Sequence, residues 1–337
     1  MNGFVYVQTN DADHNEIVVF ARGSDGRLER RGGHLTGGRG SGEPHLQSQG
    51  SVVLADGRLY VTNAGSDDVT VFGVDGERLV VLDRVGSGGS TPRSVAIHGP
   101  HVYVLNTAGN PNVAGFRLEH ERLVPARNSS RDLPDGSDPA QVAFSPDGRT
   151  LVVTDRADRI HAFAVDGDGI AQSVATYPSS GMTPYGFDVS ADGVLVVTEA
   201  GGAQVGKATA SSYTLHGPGQ LAALSGPVPS MRSEVCWAVI SNDDRIVFVT
   251  NFADGTISTY EIGAGGSIEL REAVAATTVE GQPGLRDEAL SSDGRYLYAL
   301  HADSGQVFGW KVEVDGALDA LGSANGLPRT AAGMAAS

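Results

Sequence analysis

The sequence predicts an all-β fold, a ring of seven four-stranded antiparallel blades making one domain across residues 1–337. Three observations lead there. A pattern of short apolar strands and tight turns recurs seven times at about 45–50 residues, within the spacing of propeller repeats. Asp-Gly, a hairpin signal because glycine accepts positive φ, occurs eleven times, mostly between strand-like segments. The chain ends are complementary: the first unit lacks an opening strand and the last residues supply one.

Taken in order, the N-terminus gives second, third and fourth strands at residues 4–8, 17–20 and 28–35. Later units open near Gln49, Thr91, Asp138, Thr183, Glu234 and Leu285. The fourth unit is the clearest, with strands at 138–145, 150–155, 159–165 and 170–176 separated by Ser-Pro-Asp-Gly and similar turns. Second strands follow at 59–62, 102–105, 195–198, 246–250 and 296–300. Residues 327–335 match the opening strand of the other units, so pairing the two ends in one blade removes a free sheet edge. Two β-sandwiches would explain the strand spacing but not this permuted last unit. Residues 32–42, with six glycines, and 201–212, rich in Gly, Ala and Ser, read as long loops.

Composition narrows the function classes. The chain is 40% hydrophobic, enough for a large core, and carries a formal net charge of −16. Such acidity is unsuited to the phosphate backbone, so nucleic acid is not an expected partner. No apolar stretch approaches the roughly 18 residues of a membrane helix and no secretory leader is evident, so the expectation is a cytoplasmic monomer without membrane contact. Cys236 is the lone cysteine, which rules out an internal disulfide and a cysteine-based zinc site. The nine histidines lack zinc-binding spacings, so no cofactor is expected, with a divalent ion on Asn and Glu oxygens left open.

In a propeller the first strand of each blade lines the channel, and its start shares a mouth with the end of the second strand. Aligned by their first turns, the units place Gln49, Arg93, Ala140, Tyr185, Cys236, Arg286 and Arg329 at one equivalent position. Three arginines clustered in an acidic protein suit a carboxylate or phosphate, and equally suit structural ion pairs with Glu234, Asp287 and Glu288. Tyr185 and Trp237 could stack on a substrate. The ends of the second strands give Thr9, Asn63, Asn106, Asp155, Glu199, Asn251 and His301, all polar. Asn63, Asn106 and Asn251 suit turn capping or, as a ring of amide donors, oxyanion stabilisation. Glu199, Glu234 and His301 form the acid/base shortlist. Cys236 is more in keeping with a small buried hydrophobe than a nucleophile.

The Ser-Pro-Asp-Gly turn at 145–148, Thr-Pro-Tyr-Gly-Phe at 183–187, Val-Val-Thr-Glu-Ala-Gly at 196–201, the Cys236-Trp237 pair and the terminal 326–335 segment together resemble the bacterial lactonase-family seven-bladed propellers. That family includes propeller-type 6-phosphogluconolactonase and carboxymuconate-cyclase-like proteins. The resemblance spans the chain and implies a small-molecule enzyme acting on an anionic substrate in the channel, with lactone hydrolysis as the leading reaction. It departs from the family pattern where Ser233-Glu234-Val235 opens the sixth unit and Leu285-Arg286-Asp287-Glu288 the seventh. That extra charge suggests a specialised substrate and keeps an alternative open: a cyclising or condensing enzyme using a Glu acid/base, as strictosidine synthase, another propeller, performs a Pictet-Spengler reaction. A non-enzymatic binding platform is the third reading, although the signatures of WD-type scaffolds are missing.

Overall fold

The computed structural model describes residues 3–44, 46 and 49–337. In chain order, the first blade holds β1 (Gly3–Gln8), β2 (Glu16–Arg22) and β3 (Leu28–Leu35). The second holds β4 (Val52–Ala55), β5 (Arg58–Asn63), β6 (Asp68–Asp75) and β7 (Arg78–Gly86). The third holds β8 (Ser90–His98), β9 (His101–Ala108), β10 (Asn112–Glu119), β11 (Arg122–Pro125) and β12 (Arg131–Asp132). The fourth holds β13 (Pro139–Phe144), β14 (Thr150–Asp155), β15 (Arg159–Val165) and β16 (Ala171–Pro178). The fifth holds β17 (Pro184–Val189), β18 (Val194–Glu199), β19 (Thr209–Gly217) and β20 (Gln220–Pro229). The sixth holds β21 (Val235–Ile240), β22 (Ile246–Asn251), β23 (Thr256–Ile262) and β24 (Ile268–Thr277). The seventh holds β25 (Leu285–Leu290), β26 (Tyr296–His301), β27 (Gln306–Val312) and β28 (Leu318–Asn325). The last strand, β29 (Met334–Ala336), pairs antiparallel with β1, with Tyr6 opposite Ala335, and completes the first blade as its innermost strand.

Burial explains why the second strands read as unbroken apolar runs. β14 and β22 are buried at every position because a neighbouring blade packs on each face. Outer strands such as β16 and β20 carry the exposed positions. Seven of the apolar clusters among the described residues each glue one pair of adjacent blades. One of them joins the seventh blade to the first through Tyr298, Leu300, Val5 and Met334, so packing closes the ring as well as the β1–β29 pairing does. Tyrosine hydroxyls add a second tie: Tyr6, Tyr103, Tyr177 and Tyr298 each donate to a glycine carbonyl in the outer hairpin of the next blade.

Three sequence expectations need adjustment. The outer strand of the third blade is broken, with β11 and β12 both pairing with β10. Gly32 and Gly33 lie within β3, and the segment expected as a loop at 201–212 ends in β19. Among the described residues no helix is long and apolar enough to cross a membrane.

Candidate functional site at the channel mouth

The start of the innermost strand is where the blades depart from regular pairing. The ladder to the second strand skips residues between Pro92 and Ser94, Pro139 and Gln141, Pro184 and Phe187, Val235 and Ala238, and Leu285 and Asp287. The skipped residues are Arg93, Ala140, Tyr185 with Gly186, Cys236 with Trp237, and Arg286. A bulge frees its residue from the ladder and re-aims the side chain, which is why five blades present a side chain to one mouth at the same repeat position. The residue two before the bulged one is left-handed in three blades: φ is 56° at Thr91, 59° at Thr183 and 53° at Glu234. For non-glycine residues such backbone costs about 1–3 kcal/mol and persists only where its surroundings hold it. Asp67 and Asp158 supply part of that hold, each accepting at 2.7 Å from the amide of Thr91 or Thr183.

Three guanidinium groups converge on this mouth. Arg93, Arg156 and Arg286 have side chains only 16%, 15% and 5% exposed. Tyr185 lies beside Arg93 and Arg156: its ring is tilted on Trp237 at 4.8 Å and carries the Arg156 guanidinium at 5.6 Å. Burial pulls the Arg93 guanidinium below its ordinary range; Glu43 opposes that and Arg156 adds to it. Arg286 donates to Asp303 at 2.7 Å and faces the Phe252 ring at 6.0 Å. Arg93 pairs with Glu43 at 3.8 Å, and Arg156 pairs with Asp138. The acids that answer these arginines are therefore Glu43, Asp138 and Asp303, and not Glu234, Asp287 or Glu288. The Nε atoms of Arg93 and Arg286, and Nε1 of Trp237, are buried without a hydrogen-bond partner among the described residues. Arg329 stands apart at 75% exposure, 4.0 Å from Asp303.

Glu234 sits half-buried at the same mouth, and its field reaches the Cys236 thiol along with those of Arg286 and Arg156. No hydrogen bond or ion pair of its carboxylate is present among the described residues, so a carboxylate stands beside a cationic cluster. Cys236 is fully packed and donates to the Glu234 carbonyl at 3.6 Å; burial pushes its thiol far up, which suits a hydrophobe and not a nucleophile.

The second ring, at the ends of the second strands, does something else. Five of its members bond the side chain of the residue directly opposite on the third strand. Asn63 reaches Asp68, Asn106 reaches Asn112, Asp155 reaches Arg159, Glu199 reaches Thr209 and Asn251 reaches Thr256. These residues are buried inside the blades, clasping the mouth-side hairpins. Glu199 accepts from Thr209, Gly181 and Ser179; burial raises its carboxyl and those bonds pull it back. His301 caps a short 3₁₀ turn: Nδ1 accepts from the Ser304 amide at 3.2 Å, so Nε2 carries the proton and faces the Gln282 carbonyl at 3.4 Å. Burial lowers its pKa, keeping it neutral. Of the acid/base shortlist, only Glu234 stands at the arginine mouth.

Below the mouth the channel is bridged. The Gln49 amide crosses it, donating to the Ala238 carbonyl at 2.8 Å and accepting from the Ala238 amide at 3.3 Å. Gln141 makes the same pair of bonds with Phe187. Innermost strands have no main-chain partner on their channel side, and these side chains satisfy groups that would otherwise be orphaned. Beyond the bridge the other half of the channel opens into a cavity of about 560 Å³ that contains Asp188, Asp287 and Glu288. Among the described residues no group of three His, Cys, Asp or Glu side chains is arranged to hold a metal ion.

Comparison with known proteins agrees with the fold. Residues 113–200 match the family model of the seven-bladed β-propeller lactonases. No curated protein sequence matches the chain. Among solved structures, the Pseudomonas aeruginosa periplasmic gluconolactonase is similar with a TM-score of 0.79 at 20% identity, covering 99% of this chain and 98% of its own. A Lactobacillus plantarum protein has a TM-score of 0.79 at 16% identity over 100% of both chains. A Bacteroides fragilis protein described as a candidate 6-phosphogluconolactonase has 0.77 at 15%, over 100% of this chain and 98% of its own. The resemblance read from the sequence motifs is thus matched by a lactonase model over part of the chain and by the fold throughout.

Proposed function

We propose that the chain hydrolyses a small lactone bearing a carboxylate or phosphate, at the arginine mouth. The observation that carries this is the clustering of three poorly solvated guanidinium groups around one channel mouth, Arg93 and Arg156 beside Tyr185 and Arg286 within reach of Cys236, in a protein of net charge −16. Guanidinium forks match carboxylate and phosphate oxygens, and low exposure strengthens such bonds. The lactone named for the Bacteroides neighbour carries such a phosphate, whereas the gluconolactone named for the Pseudomonas neighbour is neutral. In the proposed reaction the Glu234 carboxylate takes a proton from water, which attacks the ring carbonyl. The tetrahedral oxyanion rests against Arg286 or Arg93, the ring C–O bond breaks, and Glu234 returns its proton to the departing alkoxide. Tyr185 offers an apolar wall, backed by the buried Trp237. Asn63, Asn106, Asn251, Glu199 and His301 position the mouth-side hairpins in this reading, and Arg329 extends the positive rim.

The same residues would serve ring closure, since hydrolysis and lactonisation share one tetrahedral intermediate. A cytoplasmic location and a monomeric state stay part of the proposal, and the Pseudomonas neighbour is periplasmic. A panel of phosphorylated, carboxylated and neutral lactones tests the reading. Turnover is expected with the anionic members; hydrolysis of none, or equal hydrolysis of neutral ones, overturns it.

A further inference from the structure

The far half of the channel carries chemistry opposite to that of the mouth. Its cavity of about 560 Å³ is walled largely by aliphatic residues of the innermost strands, including Val53, Val95, Val142 and Ala289. Among the described residues, the buried polar side chains that border it are committed, with one exception. Asp188 accepts from the Val189 and Ile240 amides, and Asp287 from the Glu288 and Met334 amides, all at 2.8–2.9 Å. Gln49 is held by backbone across the channel, and Gln141 by backbone of the adjacent blade. Asn242, at the outer rim, donates to the Ser292 carbonyl. Glu288 is the exception: it is 2% exposed, and neither carboxyl oxygen has a hydrogen-bond partner among the described residues.

A buried carboxyl in this position is unsatisfied in either charge state. Ionised, it lacks a donor or counter-charge; protonated, its own O–H lacks an acceptor. Protonation alone therefore does not complete the site, although burial, then Asp287 and Asp188, push its pKa well up. A cation with N–H donors would complete it. Divalent metals want several ligands, and Asp188 and Asp287 are already turned to backbone amides, so one carboxylate remains. One carboxylate at the inner end of an aliphatic chamber matches a primary ammonium carrying a short hydrocarbon tail.

We propose that the chamber on the far side of the Gln49 bridge is a second binding site, for a small alkylammonium ion whose ammonium is received by Glu288. This site is separate from the arginine mouth and does not depend on the activity proposed there. Because Glu288 must be ionised in the complex, binding at neutral pH releases a proton; Asp188 and Asp287 are the other titratable groups facing it, and both keep their backbone bonds.

Titration calorimetry of the full chain with n-butylammonium and n-hexylammonium tests this, with butanoate and butanol as controls. Saturable binding of the ammonium ions is expected, tightening about two- to fourfold per methylene and absent for the controls. In two buffers of unlike ionisation enthalpy, neither a primary amine, net release of protons is expected. Glu288→Gln should weaken binding at least tenfold while the protein stays folded by thermal melt. Leu54→Trp, which narrows the chamber without touching Glu288, should weaken hexylammonium more than butylammonium. No binding of either ammonium by the native chain overturns the proposal, as does binding that survives Glu288→Gln in a folded variant. Should Glu288→Gln fail to fold, the proton count and the Leu54→Trp selectivity decide the matter alone.

Discussion

The two halves of one channel are built from the same seven strands and end up with opposite chemistry. At the mouth, bulges release Arg93, Tyr185, Cys236-Trp237 and Arg286 from the ladder, and Arg156 joins them from the turn after β14. In the far half the strands resume regular pairing, and the polar residues are carboxyls: Asp188, Asp287 and Glu288. At the mouth each arginine has an acidic partner, Glu43, Asp138 or Asp303, two of them more than half exposed. Below the bridge Asp188 and Asp287 are answered by backbone amides, and Glu288 by no hydrogen-bond donor among the described residues. Charge balanced near solvent can be exchanged for a substrate anion at little cost, whereas charge in a dry chamber shifts its protonation instead. Strand register, set by a one-residue bulge, decides which regime a side chain enters.

The largest effect should come from the mouth. Glu234→Gln is expected to lower kcat on an anionic lactone by roughly 10²–10⁴-fold, the usual worth of a positioned general base, with KM little changed. Steady-state kinetics checks this; a variant retaining native kcat removes Glu234 from the mechanism. Arg93→Ala is the next step, and a cleaner one than changing Arg286. It leaves only the exposed Glu43 unpaired, while loss of Arg286 leaves the more sheltered Asp303 with only Arg329 at 4.0 Å. KM should rise by about 10- to 100-fold, as for loss of a charge-assisted hydrogen bond, while butylammonium binding in the far chamber is unmoved. A fall in ammonium affinity on this substitution would mean that the two halves are one site.

The bridge between the halves gives a third test. A Cβ on Gly186 would meet the Cys236 carbonyl oxygen and Trp237 Cε3 at 2.6 Å and Gln49 Oε1 at 2.7 Å. Backbone and a ring cannot yield as a flexible chain end does, so Gly186→Ala should destabilise by about 1–3 kcal/mol, read from urea melts. It should also disturb the mouth and the chamber together, because Gln49 closes one and floors the other.

Much of this was legible before any coordinates. The apolar second strands, the Asp-Gly turns and the permuted ends lead to the ring, since these are local patterns. Alignment by the first turn brought out Arg93, Tyr185, Cys236 and Arg286, because the bulge recurs at a fixed distance from that turn. Arg156 escaped notice although it follows Asp155, itself at an aligned position; only blade stacking brings it over Tyr185. The clasps were visible in principle: Asn63 and Asp68, Asn106 and Asn112, and Asn251 and Thr256 lie five or six residues apart across a turn. Reading the polar strand ends as one ring facing the channel obscured that they face the third strand. Gln49 paired with Ala238 had no sequence signal, being a contact across the channel between blades two and six.

The smallest effect concerns stability against pH, and its sign separates the two halves most sharply. Burial raises Asp188 to about 6 and Asp287 to about 8 from an ordinary value of 3.8, and raises Glu288 as well. A carboxyl whose folded-state pKa lies above its unfolded value holds its proton in the fold while the unfolded chain has lost it. Its stabilisation is complete below about pH 4 and is lost as pH rises toward the folded pKa, at about 1.4 kcal/mol per pH unit for each proton retained. The native chain should therefore weaken from pH 5 to pH 7 in urea melts. His301, lowered by burial, pulls the other way by favouring the neutral form as pH rises toward 6.5. Glu288→Gln isolates the chamber from such contributions: its stability should fall less steeply over that interval, by up to about 1.4 kcal/mol per unit relative to native. Parallel curves for the two proteins would mean that Glu288 holds no proton in the fold, which would leave an unpaired buried anion and remove the physical basis for proton release on ammonium binding.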